Sequence, residues 1–480
     1  MLKVIPKEEL FASYPSTPDG EAIRTALQRE IDNRSACVAV LDDDPTGIQT
    51  VHSVNVYLSY TAEDIDRAVA SERLFFLQTN SRGLLPDQAA ALDRSITEKL
   101  LTAGRKHGRE VYIISRGDST LRGHYPLETQ IIREVTEAET RIPVDAEILI
   151  PCFFEAGRFT CDDIHYVEEH GRLVPAAQTE FANDTTFHFE HSDLKAYVRE
   201  KTGNPEAVVH SIPLSLIRNG DIDRIEAILT EAVGFSKIIV NALCYEDLEV
   251  FCLALCRAQR KGKRFLFRTA ASFVRVFGGI APKSLLSHKD FSVLSQKTSL
   301  RGLVVVGSHI KKSSLQLAQL WKVNGTVPVE LSVTKLVSEN YEEEFDAKRR
   351  LVSSIFESGK TPVLFTSREV IRSEDNSDQA NLLVSTTIST RFSEFVGSLP
   401  FTPDFLIAKG GITSSDMATK AVHIRKATVL GQILPGIPVI RADSEARWPG
   451  LIYVIFPGNV GSESALAEAL TTLCPTLAEE

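Results

Sequence analysis

Over most of the chain, short runs of β-branched and aromatic residues alternate with longer segments whose apolar positions recur at helical spacing. That alternation predicts an α/β protein, because parallel strands need crossover helices between them. In the first half, 38–41, 54–58, 74–77, 111–114, 147–150, 238–240 and 265–267 read as strands, and 87–101, 126–137, 222–232 and 247–259 as helices. The second half repeats the pattern, with strands expected at 303–306, 327–331, 363–365, 405–408 and 452–456. Between Pro151 and His191 the pattern lapses into Phe, Thr, Asp and His, which reads as a long functional loop. A polar, weakly periodic stretch at 281–301 marks the domain boundary. The expectation is two domains, 1–290 and 291–480, each on a mostly parallel sheet with crossover helices.

Composition narrows the picture. The chain has 480 residues, enough for two or three domains, and its 43 % hydrophobic and 24 % charged content excludes a disordered or fibrous chain. A net charge of -10 argues against a nucleic-acid partner, although it leaves room for a local anion site. No run approaches the roughly 18 apolar residues of a membrane span, and Glu8 and Glu9 interrupt the N-terminus before a leader-like run can form. The expected location is cytoplasmic, without a membrane partner. Seven cysteines without a Cys-x-x-Cys pair indicate neither a disulfide framework nor a zinc knuckle. A homo-oligomer is left open.

Candidate chemistry gathers where predicted strands end, since open α/β sheets bind ligands at the carboxyl ends of their strands. Asp42, Asp43, Asp44, Pro45, Thr46 and Gly47 follow the first such strand and offer carboxylates for proton acceptance. They also compose an ordinary solvated turn. Ser115-Arg116-Gly117-Asp118-Ser119-Thr120-Leu121-Arg122-Gly123-His124 follows another, with two guanidiniums and a hydroxyl pair suited to a hydroxylated ligand with an anionic end. The alternative there is a capped helix start. Arg82, in Asn80-Ser81-Arg82-Gly83, adds a basic contact of the same kind.

In the second half, Lys409-Gly410-Gly411-Ile412-Thr413-Ser414 runs from a strand into a helix, so that glycines admit an anion and hydroxyls line its path. Gly307-Ser308-His309 and Pro457-Gly458-Asn459-Val460-Gly461-Ser462 follow two more strands. Three such loops should converge at one sheet edge, forming a phosphate cradle that is not a Walker A sequence. The histidines show no metal-ligand spacing, and any metal ligand is unknown at this stage.

Asp43–Gly47, Asp118-Ser119-Thr120-Leu121-Arg122-Gly123, Glu155-Ala156-Gly157-Arg158, Thr179-Glu180-Phe181-Ala182, Lys409-Gly410-Gly411-Ile412-Thr413-Ser414 and Pro457-Gly458-Asn459-Val460-Gly461 together resemble the four-carbon acid sugar kinase family, in that family's order. The resemblance implies an N-terminal sugar-acid-binding domain, a C-terminal nucleotide-binding domain and an active site in the cleft between them, where a terminal hydroxyl of a tetronate or oxo-tetronate takes a phosphoryl group from ATP with Mg²⁺. Asp43 or Asp44 would be the base. Arg82, Arg116, Asp118, Ser119, Thr120 and Arg122 would contact the substrate. Ser308, Lys409, Gly410, Gly411, Thr413, Ser414, Gly458, Asn459 and Gly461 would hold ATP, and 281–301 would serve as a hinge. The chain departs from the family at Leu41–Gly47, where many members read Ala-Asp-Asp-Phe-Thr-Gly, and at Ser308–Lys312. The alternative is a sugar-acid- and nucleotide-binding regulatory protein without catalysis. A nicotinamide-dependent dehydrogenase would need a Gly-x-Gly-x-x-Gly turn, which does not follow Leu41.

Overall fold

A computed structural model describes residues 2–18, 20–308, 310–368, 378–458 and 460–477, with 378–383 as backbone only. The chain divides into two compact units. One comprises Met1–Val51 and Tyr60–Pro282, the other His52–Ser59 and Lys283–Glu480. The sequence reading placed the division at 290/291 and left 54–58 in the first domain. The segment sits instead in the second unit because Asn55–Tyr57 finds its ladder partner in Lys426–Leu434.

The first unit is built on seven described parallel strands in the order Val209–Ile212, Ser236–Val240, Ala146–Ile150, Phe265–Thr269, Val111–Arg116, Cys37–Asp42, Leu74–Gln78. Cys37–Asp42 and Leu74–Gln78 are buried throughout. This is why they read as continuous apolar runs rather than alternating ones. Helices cover the sheet; Pro86–His107 starts with proline at its first turn and stops at Gly108, whose φ of 61° only glycine adopts without strain.

The stretch 151–191 is not a long loop. Arg158–Cys161, Ile164–Glu169 and Arg172–Pro175 form an antiparallel meander completed by Ile5–Pro6. Its two turns are Asp162-Asp163 (φ 50° and 63°) and His170-Gly171 (φ 51° and 76°), pairs of left-handed residues whose twist suits a tight hairpin. The strands escape the sequence pattern because they are short and carry Arg, His and Glu among their apolar positions.

The second unit carries the strand order Asn55–Tyr57, Lys426–Leu434, Ile437–Ala442, Ile452–Phe456, Phe405–Lys409, Gly302–Val306, Thr361–Thr366, Thr326–Leu331. The last five run parallel, and the first three join them in antiparallel pairing. A buried core of Val304, Val306, Phe405, Ile407, Val454, Phe456 and Leu470 holds the parallel part against its helices. The main sheet of the first unit is thus parallel, with the small antiparallel meander beside it, and the sheet of the second is mixed, with crossover helices in both. Among the described residues, no helix is long and apolar enough to cross a membrane.

Candidate active site

Register brings the first unit's chemistry together. Asp42 pairs across the ladder with Arg116, and Ser115 with Arg268, so four strand-end residues meet at one edge of the sheet. Asp42 is fully buried, and Arg116 Nη1 lies 3.3 Å from its Oδ1. A Cβ on Gly47 would fall 2.0 Å from that oxygen, so the loop can close over Asp42 only with glycine there. Burial pushes Asp42 up to about 8 against the pull of Arg116.

Asp43 and Asp44 share Arg82, whose Nη2 stands 3.0 Å from Asp43 Oδ1 and 3.1 Å from Asp44 Oδ2. Their environments push them apart. Burial raises the proton affinity of Asp43 despite Arg82, Arg116 and Arg268. For Asp44, burial is outweighed by Arg82 and by Thr46, whose amide and hydroxyl donate to Oδ1 at 2.8 and 2.6 Å, and its pKa falls below the ordinary carboxylate value.

The loop 117–124 is fastened from below. His165 Nε2 lies 2.7 Å from the Ser119 carbonyl and its Nδ1 3.0 Å from Thr160 Oγ1, while Tyr197 Oη donates to the Leu121 carbonyl at 2.9 Å. The meander is therefore a platform for this loop. Burial brings His165 down to about 4, so it is neutral there. Within the loop, Asp118 accepts from Thr120 Oγ1 and, at 2.7 Å, from Arg122 Nε. Burial opposes its charge, but Arg82 and Arg122 outweigh it and hold Asp118 well below the usual carboxylate range. Ser119 and Thr120 are buried, and Arg116 is only 4 % exposed.

Sequence reasoning missed Arg268. It directly follows the predicted strand 265–267, and the strand-end rule applied to the other loops points to it. Its guanidinium reaches Glu128 at 2.6 Å and Ser115 Oγ at 3.0 Å, and Glu128 in turn accepts from Ser81 Oγ at 2.7 Å. Gly117 and Gly123 leave the space that Arg268 fills, since a Cβ at either would lie 2.2 or 2.7 Å from the guanidinium.

In the second unit, Val306 pairs with Lys409 and Lys409 with Phe456, so the loops at Gly307, Gly410 and Pro457 leave the sheet side by side. They border a cavity of about 500 Å³ lined by Gly307, Ser308, Gly410, Gly411, Thr413 and Gly458. Ile310, Ile388, Phe392 and Ile412 add apolar lining, Ile388 and Phe392 from the helix Asp378–Gly397, which the sequence reading did not identify. A Cβ on Gly307 would sit 2.4 Å from Thr413 Oγ1.

Three expected contacts lie away from the cavity lining. Lys409 is fully buried and donates to the carbonyls of Pro457 and Gly458 at 2.6 and 2.9 Å. Ser414 donates to the Ala408 carbonyl at 2.7 Å, and Gly461 packs on Ala465. Asn459 and His309 lie outside the described residues.

Two family models match in tandem, a sugar-binding N-terminal domain over 38–277 and a nucleotide-binding C-terminal domain over 303–466. The chain belongs to this two-domain family. The sugar-binding domain thus contains the Asp43–Arg82 edge, and the nucleotide-binding domain the cavity between the glycine loops. The fold is similar to that of Haemophilus influenzae protein HI1011, a DUF1537 structure, at 16 % identity and TM-score 0.63, over 91 % of this chain and 100 % of that one. It is also similar to a Salmonella typhimurium LT2 protein provisionally titled a tRNA synthase, at 17 % identity and TM-score 0.64, over 90 % and 98 %. No curated relative matches in sequence.

Proposed function

We propose that the protein is an ATP-dependent kinase that phosphorylates a terminal hydroxyl of a four-carbon sugar acid, a tetronate or oxo-tetronate. The observation that carries this reading is the conjunction, in one chain, of an arginine- and carboxylate-rich edge on the sugar-binding domain with a glycine-loop cavity on the nucleotide-binding domain. ATP would place its base against Ile310, Ile388 and Phe392 and its phosphates along Gly307–Ser308, Gly410–Gly411 and Gly458. Lys409 would hold the last of these loops in shape.

In the sugar-binding domain, Arg82 and the loop carrying Asp118, Ser119, Thr120 and Arg122 would position the substrate, with Arg116 supporting them from beneath. Asp43, with its raised proton affinity, is the better acceptor of the hydroxyl proton; Asp44, depressed and fixed by Thr46, is the better orienting group. Phosphoryl transfer relies on such positioning and charge neutralisation.

The described lining of the cavity offers hydroxyls and backbone amides but no carboxylate, and no described cluster of His, Cys, Asp or Glu could hold a metal ion. These residues do not form a resident magnesium site. In this reading Mg²⁺ arrives on the nucleotide as part of the substrate, and the cytoplasm is the compartment that supplies both.

The test is ADP release from Mg-ATP with a panel of four-carbon sugar acids. Acid-dependent ADP formation is expected. Binding of acid and nucleotide without ADP would establish the inactive regulatory reading instead.

A further inference from the structure

The arginines of the sugar-binding edge are already matched by acids. Arg82 pairs with Asp43 and Asp44, Arg116 with Asp42 and Asp43, Arg122 with Asp118 and Asp184, and Arg268 with Glu128. A neutralised guanidinium has little left for a ligand's carboxylate. Arg158, at the start of the meander, differs from all of them. Among the described residues no carboxylate stands within ion-pair distance of it, its Nε is buried without a hydrogen-bond partner, and its Nη1 donates only to the Ala156 carbonyl.

Its place is equally specific. The guanidinium carbons of Arg158 and Arg122 lie 5.7 and 5.1 Å from the centre of the same Phe181 ring. That ring orients both groups; Arg122 keeps its bonds to Asp118 and Thr120, whereas the Nε of Arg158 stays without a partner. Gly157, with φ 73°, lets the chain turn into the strand immediately before Arg158. Burial lowers the proton affinity of Arg158, with Arg122 adding to it, and the more distant carboxylates of Asp118, Glu169 and Glu168 do not make up the difference. A partly desolvated guanidinium without an ion-pair partner is costly unless a ligand supplies one.

We infer that Arg158 is the specificity-determining residue of the sugar site, its guanidinium, held with that of Arg122 against Phe181, taking the carboxylate of the sugar acid. The inference rests on the kinase reading for its ligand and adds to it the residue that separates an acid from a neutral sugar. A bidentate Arg–carboxylate contact is geometrically demanding, so lysine should replace it only in part.

The experiment compares wild type, Arg158→Met, Arg158→Lys and Phe181→Leu as full-length chains, with a tetronate and with the tetritol in which hydroxymethyl replaces the carboxylate. In Arg158→Met the KM for the acid should rise about 100-fold, while the KM for ATP and the slow turnover of the tetritol stay unchanged. Arg158→Lys should fall between, and Phe181→Leu should raise the acid KM several-fold with ATP binding intact. An unchanged ratio of acid to tetritol efficiency in Arg158→Met overturns the inference and leaves the kinase reading standing. If wild type releases no ADP with any acid, the kinase reading fails by itself, and calorimetric titration of the tetronate decides the remaining question. Binding to wild type but not to Arg158→Met supports the contact, whereas equal binding, or none to either, overturns it.

Discussion

The buried ammonium of Lys409 donates to the carbonyl of Pro457 at 2.6 Å and so ties the end of one strand to the loop that follows its neighbour. Its other acceptor is Gly458, and the ring of Phe456 lies 4.4 Å away. Burial, with Lys312 adding to it, brings Lys409 down to about 7. Raising the pH through that value removes the charge that tightens the loop, so the KM for ATP should climb between pH 6 and 8.5 in wild type and stay flat in Lys409→Arg, whose charge persists. Lys409→Met should raise it about 10- to 100-fold at pH 6.5. The stability trend has the opposite sign, because a lysine with a depressed folded pKa sheds its proton on folding and stabilises the fold progressively as pH rises from about 7 toward 10.5. Steady-state kinetics across pH, with Lys409→Arg as the control, checks both the direction and the residue.

The contrast between Asp43 and Asp44 predicts different failures. Asp43→Asn should lower kcat by roughly 10²- to 10⁴-fold with little change in the KM for ATP, as loss of a proton acceptor does. Asp44→Asn retains a shape that Thr46 can still hold, and should mainly raise the KM for the sugar acid. Near-normal kcat in Asp43→Asn would return the acceptor role to Asp44.

His165 makes the sugar-binding domain acid-sensitive. The unfolded imidazole gains a proton near 6.5 and the folded one only near 4, so stability present above pH 6.5 is lost as pH falls toward 4, by up to about 3 kcal/mol. Thermal melts of wild type should therefore drop more steeply between pH 7 and 4.5 than those of His165→Gln. Parallel slopes would remove His165 from the acid response.

Gly123→Ala puts a methyl group 2.7 Å from the Arg268 guanidinium and 3.4 Å from Asp43 Oδ2, at a φ of 128° that disfavours any side chain. We expect a loss of about 1–3 kcal/mol in stability together with a raised KM for the sugar acid. The KM for ATP should not move, and a change confined to ATP would contradict the assignment of this loop to the sugar site.

The central strands of both sheets were legible because burial on both faces leaves an unbroken apolar run, as in Val38–Leu41 or Ile452–Phe456. The carboxyl-edge loops followed from topology alone. Less legible was whatever long-range partners decide. Ile164–Glu169 carries a histidine and two glutamates, and only its neighbours make it a strand. The hairpin Lys426–Leu434 and Ile437–Ala442, which the sequence reading did not identify, turns at Pro435-Gly436 with φ 77° at the glycine, and its pattern is interrupted where the register shifts around Gly431. Arg158 and Arg268 look like any other arginine in sequence, because what distinguishes them is which acids are near and which are not.

The short strand Asn55–Tyr57 bears on how the protein can be dissected. Its ladder with Lys426–Thr428, with further bonds from Ser53 to the Val429 carbonyl at 2.7 Å and from Leu58 to the Arg425 carbonyl at 2.8 Å, makes the nucleotide-binding domain discontinuous in sequence. A fragment begun at Lys283 would be missing one of its own strands and would present the unpaired backbone of Lys426–Thr428 as a sticky edge. Separate expression of the halves therefore calls for a circularly rearranged gene, in which residues 52–59 are supplied in cis, rather than a simple cut at the linker.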